Sequence, residues 1–159
     1  MDRYETIAQS AELKALNEYW TNLRADRRMP SRADFVPEDL PASLLPNMLL
    51  IEVSHDPLRF YYRVMGTGIA TLLGEDWTGK YVDQIKGVNK NVLQQYVDTV
   101  TTAAPSIYSN QYQKFDKTVG YKRLLNYERL LLPLSYDDTT VHHLLGATLV
   151  KPVDGEATN

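Results

Sequence analysis

The chain has 159 residues, 43% of them apolar and 23% charged, with a formal net charge of −3 and no cysteine. That is enough apolar chain to bury one core, and it is not the composition of a disordered segment. The missing cysteines exclude disulfides, thiolate nucleophiles, iron–sulfur clusters and thiol-held zinc, and the small negative charge offers nucleic acid no general attraction.

The N-terminus, Met1-Asp2-Arg3-Tyr4-Glu5, precedes no apolar core of a signal peptide. The densest apolar stretch, 124–134, is broken by Asn126, Glu128 and Arg129 and is too short to span a bilayer. The expectation is a cytoplasmic chain with no membrane role.

In chain order, residues 1–9 read as a tail ending in a capping box, Thr6-Ile7-Ala8-Gln9. Leu13, Leu16, Trp20 and Leu23 follow at three- and four-residue steps and predict a helix over 10–28 with one apolar stripe. The stripe fits either the chain's own sheet or an interface in a homodimer. The basic run Arg24-Ala25-Asp26-Arg27-Arg28 reads as the cationic end of that helix, which Pro30 stops. Prolines and acids between 31 and 46 predict an irregular connector.

Alternation through Leu49, Ile51 and Val53, a turn at Ser54-His55-Asp56-Pro57, and alternation through Phe60, Tyr62 and Val64 predict a hairpin. Gly66 and Gly74 bracket a short helix; another short helical stretch is expected at 81–85. Asn89 or Asn91 caps a longer helix carrying Val92, Leu93, Tyr96, Val97 and Val100. Three strands follow, over 107–115, 121–134 and 141–150, and 151–159 reads as a polar tail. The fold class is therefore α+β: one domain, its core over 47–150, with a five-stranded antiparallel sheet, helices on one face and an added N-terminal helix.

No nucleophile–base–orienter set is legible, so the chain reads as no enzyme. His142 and His143 are adjacent on a strand and face opposite ways, so they cannot share a metal ion, and no metal site is expected. Gly66-Thr67-Gly68 lacks the third glycine and the lysine of a nucleotide loop. Arg63 and Thr67 at the start of the following helix can still receive an anion. Glu128 and Arg129 interrupt an apolar strand, and an unpaired charge on a covered face is costly. A bridge between Arg63 and Glu128 across the sheet, or a polar pocket lined by both, is the expectation.

Several blocks together resemble the PAS superfamily, and within it a bacterial subfamily of short, stand-alone PAS-like domains. They are Trp20, Leu23 and Arg24, residues 29–32 (MPSR), Leu45-Pro46, residues 60–67 (FYYRVMGT), residues 76–80 (DWTGK) and residues 127–134 (YERLLLPL). The resemblance implies a sheet cupping a small helical set with a ligand pocket between them. On that basis Tyr62, Tyr96 and Tyr112 join Arg63, Thr67, Glu128 and His143 as candidate ligand-binding residues, with Tyr127 on a further lining element. Adduct-forming flavin and covalently held chromophores need a cysteine, and the predicted helix 91–102 carries no histidine for haem. The cofactor is left unknown. The function implied is a sensor that binds an unidentified small molecule and signals in trans through a partner protein. The alternatives are a ligand-free interaction adaptor and, third, a small-cavity enzyme.

Overall fold

The computed structural model describes residues 10–153. Helix α1 spans Ala11–Arg24. A hairpin follows, strand β1 (Met48–Ser54) with β2 (Arg59–Met65), then helices α2 (Thr67–Leu73) and α3 (Lys90–Thr102). Strands β3 (Ser106–Asp116), β4 (Tyr121–Leu134) and β5 (His143–Pro152) complete the chain. All five strands form one antiparallel sheet in the order β2-β1-β5-β4-β3. The strands near the two ends of the chain meet at its centre, where β1 pairs β5 from Met48↔Ala147 to Glu52↔His143. The predicted fold class holds.

The predicted capping box at 6–9 lies outside the described residues, and so does the end of the predicted tail from 154. The N-cap of α1 is Ser10, and the helix stops at Arg24 rather than continuing to 28. Ala25 takes a positive φ of 52°, and the basic run turns back to satisfy the helix end. Arg27 donates to the carbonyls of Leu23 and Arg24, and Arg24 donates to the carbonyl of Arg27. Arg27 also pairs with Asp34 at 2.9 Å. These cations cap carbonyls that a helix end leaves without partners.

The connector at 31–46 is three separate 3-10 turns, at Arg32–Asp34, Pro37–Asp39 and Leu45–Asn47. The stretch at 81–85 is likewise one 3-10 turn, Val82–Gln84. The fifth strand begins at His143 and runs to Pro152, beyond the expected 150, because β4 reaches far enough to pair Leu125 with Pro152. Lys151, expected in a tail, forms an ion pair with Glu12 of α1.

Alternation along β4 divides the core. Arg129 and Leu131 face α2 and α3, whereas Glu128, Leu130, Leu132 and Leu134 face the side that α1 covers. Leu13 and Leu16 are wholly buried there, and the indole of Trp20 donates to the Pro133 carbonyl at 2.9 Å. The apolar stripe of α1 is thus spent on the chain's own sheet, which corrects its reading as an interface. A sheet apolar on both faces must cover both, and α1 covers the second. Leu23, the last residue of the stripe, is only half-buried.

Candidate functional site

The inner face of the sheet curls beneath α2 and α3 and leaves a cavity of about 330 Å³. Its wall comes from Leu49 on β1, Tyr62 and Met65 on β2, Ile69 on α2, Tyr96 on α3, and Tyr127, Arg129 and Thr148 on β4 and β5. Trp77 completes it from the segment after α2.

Two local devices hold this cup open. The first is the close seating of α2. A Cβ at Gly66 would lie 2.2 Å from the Pro46 carbonyl oxygen, so only glycine lets the chain leave β2 against the Leu45–Asn47 turn. The second is the segment 76–80. Asp76 accepts from the Thr78 amide and hydroxyl, and the Thr78 hydroxyl accepts from the Met65 amide. Gly79 and Lys80 then exchange backbone hydrogen bonds with Tyr62. This pins Trp77 beside Tyr62, with ring centroids 5.6 Å apart.

Tyr62 and Tyr96 meet inside the cup, hydroxyl to hydroxyl at 2.9 Å. Burial pushes both phenols above their usual range, Tyr96 well above it, so both remain neutral at physiological pH. Deeper along β4, Arg129 is 3% exposed. Its Nε donates to Gln95 Oε1 at 2.6 Å and its Nη1 to the Tyr127 hydroxyl at 2.8 Å. The Tyr108 and Tyr127 rings lie 5.0 and 5.5 Å from the guanidinium carbon. Gln95 cannot swing away, because its Nε2 donates to Ser106 and to the Arg129 carbonyl. Thr99 fixes the Ser106 hydroxyl in turn, at 2.7 Å.

Of the seven predicted ligand-binding residues, Tyr62 and Tyr96 line the cavity. Tyr112 lies further out on β3, opposite Leu125. Thr67 is exposed at the first position of α2. Arg63 is exposed and lies 3.7 Å from Glu52 on the neighbouring strand. Glu128 is buried on the outer face and accepts from the Ser10 amide at 2.9 Å. The expected Arg63–Glu128 bridge is therefore corrected: β1 and β5 stand between their two strands. His143 pairs Glu52 and Leu134 and shares their outer face, where burial holds its imidazole below the usual range.

Sequence reasoning missed Arg129, Trp77 and Gln95. For Arg129 the signal was present, since two adjacent charges on an apolar strand must point to opposite faces. Nothing in the sequence said which of them faced the cup.

Among the described residues, no three His, Asp or Glu side chains gather as a metal site, and no helix is long and apolar enough to cross a membrane. A larger groove, about 710 Å³, lies by Ser10, Gln111, Asn126 and Glu128. It is walled chiefly by polar side chains.

A family model described as "PAS domain" matches residues 8–149. Comparison with curated proteins finds no match. Among solved structures, the chain is similar to the light-state LOV domain of the blue-light photoreceptor Aureochrome1, at 13% identity and a TM-score of 0.39. That alignment covers 73% of this chain and 88% of the other. It is also similar to an RNA-binding light-oxygen-voltage receptor, at 13% identity and a TM-score of 0.40, covering 76% of this chain and 35% of the receptor. With the family model spanning nearly the whole chain over a five-stranded cup, the protein belongs to the PAS domain family.

Proposed function

We propose that this chain is a sensory domain whose inner cup receives a small molecule and whose output is a change in protein–protein contacts. The observation that carries this reading is the aromatic, partly polar cavity between the sheet and α2–α3. Its size suits a compound of one or two rings, near the lower end of ligand sites in general. The route to output is β4. Its inner face presents Arg129 to the cup, and its outer face presents Leu130 and Leu132 to α1. A ligand that favours one setting of β4 biases how α1 lies on the sheet.

The test is a thermal-shift screen of small molecules against the wild-type chain and Gly146→Val. A Cβ at Gly146 meets Leu49 Cδ1 at 2.9 Å and Leu131 Cδ2 at 3.0 Å, so valine pushes the floor into the cavity. Compounds that stabilise the wild type should lose their effect in the variant. Hits that act equally on both would place binding elsewhere and remove the cup from the account.

A second reading, a ligand-free adaptor, is favoured by the β3–β4 hairpin. Among the described residues its outer end runs past β5, whose last strand pair with β4 is Leu125↔Pro152, and Phe115, Val119 and Tyr121 are exposed there. Exposed apolar groups gathered at one tip suit a partner's surface. Pull-down with the hairpin variant Phe115→Ser and Tyr121→Ser, against a cup variant, separates the two readings.

A further inference from the structure

Arg129 is a buried cation with no carboxylate partner among the described residues, and two of its five N–H groups are used, by Gln95 and Tyr127. Nη2 has no hydrogen-bond partner. The Trp77 indole N–H, in the same cavity wall, is also buried without one. In the Tyr62–Tyr96 pair, one hydroxyl donates to the other, so one O–H of the pair is left to give. Three kinds of donor thus belong to side chains of one cavity wall, and the only buried charge among them is positive. The acid in the wall, Glu75, is exposed and paired with Lys80 at 3.1 Å, with Lys86 also in the wall.

A lone buried cation is costly, and its aromatic neighbours offset only part of that cost. An acceptor-bearing anion would complete the set. The guanidinium is already oriented by Gln95, which Ser106 and Thr99 lock, so binding need not order it. We infer that the cup's ligand is a small aromatic carboxylate, its carboxylate on the free N–H groups of Arg129 and its ring among Tyr62, Trp77 and Tyr96. This rests on the ligand-binding reading above and specifies its chemistry. Arginine and carboxylate match in fork geometry, and the ring fits a wall of aromatic faces.

The test uses benzoate and its uncharged analogue benzamide as probes of the full chain, followed by the indole N–H resonances of the two tryptophans. Trp77 is in the cup wall, whereas Trp20 lies across the sheet and is bonded to Pro133, so each spectrum carries its own control. Benzoate should shift Trp77 and leave Trp20 in place, and should bind about tenfold or more tightly than benzamide. Arg129→Lys should keep a reduced preference for benzoate, and Arg129→Met should abolish it. Equal binding of the two probes by the wild type would overturn the carboxylate assignment while leaving the cup as a binding site. Binding of neither at millimolar concentration would overturn the aromatic-carboxylate assignment, and shifts at Trp20 alone would overturn the cup as the site as well. Because the wild-type comparison needs no variant, a substitution that fails to fold does not rescue the proposal.

Discussion

Replacing Leu16 with alanine probes the covering of the outer sheet face by α1. Leu16 is wholly buried one helical turn from Trp20, itself 5% exposed, so truncation opens a cavity that neighbours on two sides enclose. Leu→Ala at such sites costs about 2–5 kcal/mol. Because α1 is a single helix at the surface and can settle toward β4, a loss of about 3 kcal/mol is expected. Against a total stability of about 5–15 kcal/mol that is a large fraction, and it lowers Tm by roughly 6–12 °C for a domain of this size. Urea unfolding followed by circular dichroism measures it, with Lys14→Ala on the exposed face as a control expected within about 0.5 kcal/mol. The loss should be the same at every protein concentration. A loss below about 1 kcal/mol, or a midpoint that moves with concentration, would mean that the stripe is covered by another chain.

Three further outcomes follow from the same geometry. Burial raises the folded-state pKa of Tyr62 and Tyr96, so their contribution is complete below the unfolded value near 10 and is lost as pH rises beyond it. Phenolate absorbance should show these two titrating only as the chain unfolds, and Tyr96→Phe should lessen the alkaline loss of stability; early titration of all eleven tyrosines would contradict the buried pair. Asp138 accepts from the Arg28 and Met29 amides at 2.8 and 3.0 Å, tying the β4–β5 turn to the segment after α1. Asp138→Ala should cost about 1–3 kcal/mol in urea unfolding, and Asp138→Asn, which keeps an acceptor and tolerates the φ of 64°, should recover most of it. Finally, Arg63→Ala and Glu128→Ala should be additive within about 0.5 kcal/mol in a double-mutant cycle, since their side chains do not meet.

The sheet was legible because its strands alternate cleanly and its turns carry turn residues. The stripe on α1 was legible for the same reason, but its target was not. A helix stripe specifies that something apolar covers it, and the candidates, a sheet face or a second subunit, have the same chemistry. The cup residues were half legible. Tyr62 and Tyr96 stand on elements that any sheet with this order turns inward. Arg129 and Glu128 are adjacent, and a shift of one residue in register exchanges their faces; only the pairing of Arg129 with Thr148 and Tyr108 fixes which is inside. Trp77 lies in a segment without periodicity, held by the Asp76–Thr78 turn and by β2, so its aim depends on contacts distant in sequence. Arg63 misled because its neighbour in space, Glu52, comes from the hairpin register across a β-bulge between Leu50 and Ile51, which a strict period of two does not anticipate.

Native mass spectrometry of the chain as freshly purified, beside Gly146→Val prepared identically, weighs the ligand-binding cup most directly. A reproducible added mass is expected on the folded wild type, released on denaturation as an organic acid and missing from the folded variant. A bare wild-type chain, or an adduct carried equally by both proteins, would contradict it.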